Sequence, residues 1–414
     1  MDTYSNYGKS GKYQLNIYLL IFTLYYIGTM IFDLNEKYLL ISQVLFVLMI
    51  IFSSWLMVIR SKRISLKPYL FFLCVILATF FITALTGINY QNSVTRLETL
   101  LKIFILCVMT YQILSIYISE QYIEKLFIVS GIALFTWVLY VYGINNYFTL
   151  ILSNTERLGA EVSQENVMGM NAALIASVLL YYVFNKKRYS YLIIVAMMMT
   201  VVAASGSKKA LFTLPLAIII ILIQKNGLNK LYKTIIGICI FALIGSAIIQ
   251  LQIFDGLRER INDFVLQLQG TNVDNSTELR SDMIKYGLIW FTEHPILGIG
   301  IDNYKYLSVN LFGMYRYAHN NYIELLVGTG IVGFTAFYSM YFYLIKRLFK
   351  LRKSDDSIAQ IFLLILLIQL FCDIASVSYL YKSTYIYLIM AFVCIDNEAK
   401  KKRCHNSVTE FCDE

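Results

Sequence analysis

Proline is nearly absent from this sequence, three residues in 414, and histidine and tryptophan are as scarce, at three each. Charged side chains make up 15%, against about 25% in ordinary globular proteins. So little charge excludes a soluble enzyme and a disordered chain. Seven cysteines fall at 74, 107, 239, 372, 394, 404 and 412 without a CxxC pair, so neither a disulfide framework nor a zinc site is supported. No small-residue cleavage site follows the first apolar run, so no removable signal is expected. What the chain has in quantity is apolar and aromatic: 58% hydrophobic, with 33 Tyr and 27 Phe. The expected class is an all-α, polytopic integral membrane bundle.

A span needs about 20 mostly apolar residues. The apolar runs predict twelve helices near 15–32, 39–59, 68–88, 98–118, 123–142, 166–184, 189–204, 210–224, 231–253, 320–345, 358–376 and 379–395, with no internal repeat. The net charge of +9 does not point to nucleic acid, because the basic residues cluster between apolar runs, where they set orientation. An N-terminus inside puts 22 of the 35 Lys and Arg in the cytoplasm, including Lys9, Lys12, the Arg60–Lys67 cluster, Lys186–Arg188 and the Lys346–Lys353 cluster. Both termini are then cytoplasmic. The expected layout is spans one to nine over 1–253, a large extracytoplasmic loop over 254–319, three spans over 320–395 and a cytoplasmic tail over 396–414.

A long external loop in a compact bundle points to function. Leu257, Ile261, Phe264, Val265 and Leu268 recur at helical spacing, with Arg258, Glu259, Arg260 and Asp263 between them, as in a helix lying on the membrane surface. Asn275, three residues before Glu278, is a plausible cap for a second helix over about 276–293. Arg280 lies on the apolar face of that helix with Ile284 and Gly287; it either reaches back to water or meets an anion inside the fold. Pro295, Gly298 and Gly300 then make a tight turn.

Of the histidines, His405 is in a charged tail and His294 precedes a proline at a helix end, while His319 stands at the outer mouth of the tenth span among polar neighbours. Glu324 comes one turn after Asn320, inside the apolar run; an acid there is expensive and is either functional or a structural partner. Gly328, Gly330 and Gly333 suggest a face for close helix packing. Arg157, in a shorter external loop, and Lys208 and Lys209, near a helix N-terminus, are cations placed against the inside bias. They fit an anionic ligand or a lipid headgroup.

The stretch from Arg280 through His294-Pro295-Ile296-Leu297-Gly298-Ile299-Gly300, Asn303, His319-Asn320-Asn321-Tyr322-Ile323-Glu324 and Thr329-Gly330-Ile331-Val332-Gly333 resembles the O-antigen ligase and polysaccharide polymerase superfamily. Ser205-Gly206-Ser207-Lys208-Lys209 resembles its serine-rich element, with Lys208 where the family usually has arginine. Arg157-Leu158-Gly159 with Asn166 and Gly169 resembles its earlier arginine and asparagine motif.

The resemblance implies a GT-C-like glycosyltransferase that takes a glycan from an undecaprenyl-diphosphate carrier, without cofactor or metal, on the outer face of the cytoplasmic membrane. It also implies a chain-length regulator and a flippase as partners. His319, Arg280 and Glu324 would be catalytic, with Arg157, Lys208, Lys209 and Arg280 on the diphosphate. His319 would act as a base or as a hydrogen-bond donor, and Glu324 would either orient it or be a packing acid. Polymerase is the first reading and ligase the second. A lipid-linked oligosaccharide flippase is the rival from another class, disfavoured by the few prolines and the absence of a repeat.

Overall fold

A computed structural model describes residues 9–59, 67–153, 157–162, 164–226, 275–352 and 357–410, and between 227 and 274 only 232, 235–237, 250, 258, 262 and 266. The described residues are helical, with no strand. A lipid-immersed chain satisfies its backbone this way, since each helix closes its own hydrogen bonds. The helices are α1 (Lys9–Ile31), α2 (Leu39–Ile59), α3 (Pro68–Leu85), α4 (Tyr90–Tyr117), α5 (Glu120–Tyr142), α6 (Ile144–Ser153), α7 (Glu165–Lys186), α8 (Leu192–Ser205) and α9 (Lys208–Asn226). Beyond the sparsely described stretch come α10 (Asn275–Glu293), α11 (Tyr304–Phe312), α12 (Asn321–Arg352), α13 (Ser357–Asp373) and α14 (Lys382–Glu410).

Seven of these, α2, α3, α4, α5, α7, α9 and α12, are long and apolar enough to cross a membrane. Shorter apolar helices cover Ile17–Ile31, Tyr189–Ser205 and Ser357–Asp373. The protein is thus a multi-pass, all-helical membrane protein. The ninth expected span and the expected surface helix around Leu257–Leu268 lie outside the described residues, a few isolated positions excepted. Two helices were not expected from the sequence: α6, in the loop after α5, and α11, in the loop before His319.

Local chemistry sets the helix ends. Pro68 opens α3, where its missing N–H costs nothing. Asn89 caps α4 by accepting from the Asn92 N–H at 2.9 Å, and Ser119 caps α5 through the Tyr122 N–H at 3.1 Å. α2 is amphipathic in the inverted sense: Ser42 and Ser53 are fully buried against the bundle, while Trp55 is 61% and Val58 74% exposed. Water would reward the opposite arrangement; a hydrocarbon solvent does not.

α7 is the most enclosed of the seven spans. Its small residues Ala172, Ala173, Ala176 and Ser177 are fully buried and let α8 and α9 approach closely. α12 packs between α3 and α13, and α14 lies along α4.

α12 is interrupted. Gly330 has φ 60° and ψ −168°, outside helical space, and the segment 295–299 fills the break. The Ile299 N–H donates to the Val327 carbonyl at 2.9 Å, while Ile331 and Val332 N–H donate to the carbonyls of Pro295 (2.9 Å) and Ile296 (3.3 Å). A Cβ on Gly330 would lie 2.2 Å from the Ile296 oxygen, and one on Gly298 2.5 Å from the Val327 oxygen. The glycines expected to form a packing face therefore do more: Gly330 ends one helical stretch and starts another, and Gly298 lets a second backbone reach the gap.

Candidate functional site

Separate sequence motifs meet at one end of α7, α8 and α9. Gly206, in a left-handed conformation, turns the chain between α8 and α9, and the Ser207 hydroxyl accepts from Ala210 N–H at 3.4 Å near the start of α9. The Arg157 segment lies across this turn. Leu158 N–H donates to the Ala204 carbonyl at 2.9 Å. Arg157 Nε donates to the Ser205 carbonyl at 3.0 Å, and its Nη2 to Asn166 Oδ1 at 3.0 Å. Gly169 is required where α7 passes: a Cβ there would sit 2.2 Å from Ser205 Oγ.

Beside this turn lies an open cleft of about 920 Å³, whose lining includes Asn166, Lys209, Arg280, Tyr317 and His319. The α13–α14 connection adds hydroxyls to the same lining, among them Ser376, Ser378 and Tyr381. Lys209 Nζ donates to the Ala375 carbonyl, which ties the amine to that connection. Lys208, one residue earlier, is not among the residues lining the cleft. Arg280 reaches it from α10 with an exposed side chain.

His319 is held by its neighbours on both sides. Its φ is 53°, a conformation costing roughly 1–3 kcal/mol for such a residue. Before it, Ala318 N–H donates to Glu324 Oε2 at 2.8 Å. After it, Asn320 Oδ1 accepts from Tyr322 N–H (2.9 Å) and Ile323 N–H (3.1 Å), capping α12. The imidazole packs on Tyr317, ring centres 4.4 Å apart. Burial, followed by the positive charges of Arg280, Lys209 and Arg316, pulls its pKa down to about 4. His319 is therefore neutral at physiological pH. Glu324, 2% exposed, spends its hydrogen bond on the backbone next to His319.

The second asparagine of the motif has a different task. Asn321 Nδ2 donates to Tyr338 OH (2.9 Å) and Asp373 Oδ2 (3.2 Å), and its Oδ1 accepts from Ser378 N–H (2.9 Å) and Tyr379 N–H (3.1 Å). Asp373, 1% exposed, also accepts from Tyr338 OH at 2.9 Å and Ser378 Oγ at 2.5 Å. This knot fixes the connection that carries Ala375. Sequence reading did not single out Asp373, although an acid inside an apolar run is the same signal that marked Glu324. Asn303 is structural: its Nδ2 donates to Ser93 Oγ at 3.1 Å and to the Ile299 carbonyl at 2.9 Å.

Residues 192–338 match the family model described as O-antigen ligase. That match to the O-antigen ligase family covers just over a third of the chain. No curated protein matches it. The O-antigen ligase match begins at the first residue of α8 and ends at Tyr338 in α12, so it contains Lys209, Arg280, His319 and Glu324. Asn166 of α7 and Asp373 of α13 lie outside the matched stretch and line the same cleft, while Arg157, also outside it, is not a lining residue and is tied to the cleft through Asn166. Among the described residues, no group of three or more His, Cys, Asp or Glu is placed to hold a metal ion.

Proposed function

We propose that the chain polymerises a cell-surface polysaccharide, capsule or O-antigen, by joining oligosaccharide repeat units carried on polyprenyl diphosphate. The observation that carries this reading is the meeting of Lys209, Arg280 and His319 in the lining of a single cleft, with Arg157 tied to it through Asn166. A diphosphate leaving group needs fixed cations where its charge develops, and an acceptor hydroxyl needs a neutral nitrogen within reach.

In the proposed reaction the bond between the sugar's anomeric carbon and the diphosphate oxygen breaks, and a bond to the acceptor hydroxyl oxygen forms. His319 takes the hydroxyl proton, and polyprenyl diphosphate leaves against Lys209 and Arg280. Arg157 commits Nε and Nη2 to the protein and keeps further N–H groups for phosphate. Lys209 offers a point charge where a guanidinium would offer a fork. Its bond to Ala375 leaves two ammonium hydrogens for the ligand. Lys208 would contribute charge only from outside the cleft. Glu324 serves as a positioning residue: through Ala318 it holds His319 in its left-handed conformation.

His319 becomes a better base when it is needed. As long as Arg280 and Lys209 are uncompensated they disfavour imidazolium. A bound diphosphate offsets them, which raises the pKa and lets the ring accept the proton.

The proposal includes twelve spans laid out as 1–253, 254–319, 320–395 and 396–414. Both termini are cytoplasmic and the cleft faces outward, with a flippase supplying the lipid-linked unit and a chain-length regulator acting on the product.

The decisive experiment incubates purified protein with an undecaprenyl-diphosphate-linked repeat unit and resolves the products by length. Wild type is expected to give a ladder, while Arg280→Ala and His319→Ala, at matched folding, leave a single band. A single band from wild type, with glycan appearing on an added lipid acceptor, would replace polymerase with ligase.

A further inference from the structure

α7 and α9 carry Asn166 and Lys209 at one end, and at their other ends they meet α13 around a second cavity of about 590 Å³. It is lined by Tyr181, Asn185, Lys186, Gln224, Lys225, Ser357 and Gln360. A helix of 22 residues spans about 33 Å, so this cavity is separate from the cleft. Most of its polar groups are paired: Gln224 Nε2 donates to the Gln360 carbonyl at 3.1 Å, Tyr181 OH to Gln360 Oε1 at 2.9 Å, and Lys225 Nζ to the Phe184 carbonyl at 2.8 Å. Lys186 is 3.2 Å from Glu120.

Two buried atoms have no partner: Gln224 Oε1, on a side chain 8% exposed, and Asn185 Nδ2. A buried polar group left without a partner is costly, so each of these atoms favours a ligand that supplies one. One is an acceptor and the other a donor, and they do not bond each other. The complement of that pair is a hydroxyl, which donates to the one and accepts from the other. Lys225, whose ammonium donates to a neutral carbonyl, keeps its charge to complement an anion, while the charge of Lys186 is shared with Glu120.

We propose that this cavity is a binding site for a hydroxylated phosphate, with its hydroxyl between Gln224 and Asn185 and its phosphate at Lys225 and Lys186. Such a group is presented by the headgroup of an anionic glycerophospholipid or by a free polyol phosphate. The site does not depend on the polymerase reading; with the orientation proposed above it opens to the cytoplasmic leaflet.

The test uses full-length protein in neutral detergent, with short-chain phosphatidylglycerol, phosphatidylcholine and glycerol phosphate as probes, and affinity read from the concentration-dependent rise in Tm. Wild type is expected to respond to phosphatidylglycerol and not to phosphatidylcholine. A comparable response to glycerol phosphate identifies a soluble source, and its absence a lipid one. Asn185→Asp, which puts a carboxylate in place of the unpaired amide, is expected to weaken binding about tenfold, because it removes the donor to the hydroxyl and sets a negative charge beside the phosphate. Lys225→Gln weakens it in the same direction and serves if Asn185→Asp does not fold. Arg280→Ala, in the outer cleft, leaves the affinity unchanged. Equal responses from wild type and both variants, or no response to either phosphate probe, overturn the proposal and leave the cavity to water.

Discussion

His319 shows how far single residues can be read in advance. A histidine beside asparagines at the mouth of an apolar run was conspicuous, and so was Arg280 on an apolar helix face. Which of two adjacent lysines enters the cleft was not, because successive helical residues point about 100° apart and only the packing of α9 against α13 decides which turns inward. Lys209→Ala is accordingly expected to lower kcat/KM by about 10²-fold or more, the range for losing one donor to a developing anion, and Lys208→Ala by far less; parallel kinetics on the two variants check it.

The depressed pKa of His319 makes a signed prediction. Imidazolium cannot accept a proton, so activity falls on the acid side. kcat/KM reports the free enzyme, where His319 titrates at about 4, whereas kcat reports the loaded cleft, where offset cations raise that value. The acid limb of kcat should therefore lie at higher pH than that of kcat/KM, and Arg280→Gln should move the kcat/KM limb upward. A pH–rate profile of wild type and the variant measures both. Asp373 carried the same signal as Glu324, an acid inside an apolar run, but nothing in the linear order joins it to Asn321, 52 positions away. Asn321→Ala strips hydrogen bonds from a buried carboxylate and from two backbone N–H groups. It is expected to cost about 2–4 kcal/mol, measured by denaturation, whereas Asn320→Ala, a lost helix cap, costs about 1 kcal/mol.

Among elements, the long apolar helices were legible from composition and length, since hydrocarbon leaves a spanning chain little choice. Short helices outside the apolar runs were not: α6 has ten residues and α11 nine, too few for periodicity to stand out. The break in α12 was hidden for another reason. Three glycines close together suggest packing, and only the docking of 295–299 shows that Gly330 carries a positive φ. Gly330→Ala meets both that conformation and a carbonyl 2.2 Å away. It should destabilise the protein by more than the roughly 1–3 kcal/mol of backbone strain alone, while Gly333→Ala, where the nearest atoms belong to the Thr329 side chain, should be milder. Thermal unfolding in detergent separates them.

For the whole molecule, the burial of Ser42 and Ser53 beneath a lipid-facing Trp55 and Val58 agrees with the hydropathy pattern, and basic clusters supply the proposed orientation. That orientation predicts that, in a background without native cysteines, Tyr315→Cys is labelled by a membrane-impermeant maleimide in intact cells, while Tyr189→Cys is labelled only after permeabilisation. The reverse pattern would turn the cleft inward and remove the polymerase reading.

The mended helix also bears on biogenesis. Gly330 lies about 14 Å along α12 from its first residue, and bare N–H and C=O groups at such a break are costly in lipid. The segment that satisfies them, 295–299, is synthesised first, and in the proposed orientation it stands on the outer side when α12 follows. It serves α12 as a built-in template, so the second half of the helix can settle into the bilayer without passing through a state in which the break is unpaired. Because 295–299 follows directly on α10, the same docking brings Arg280 toward His319, and the cleft closes up as the helix is completed.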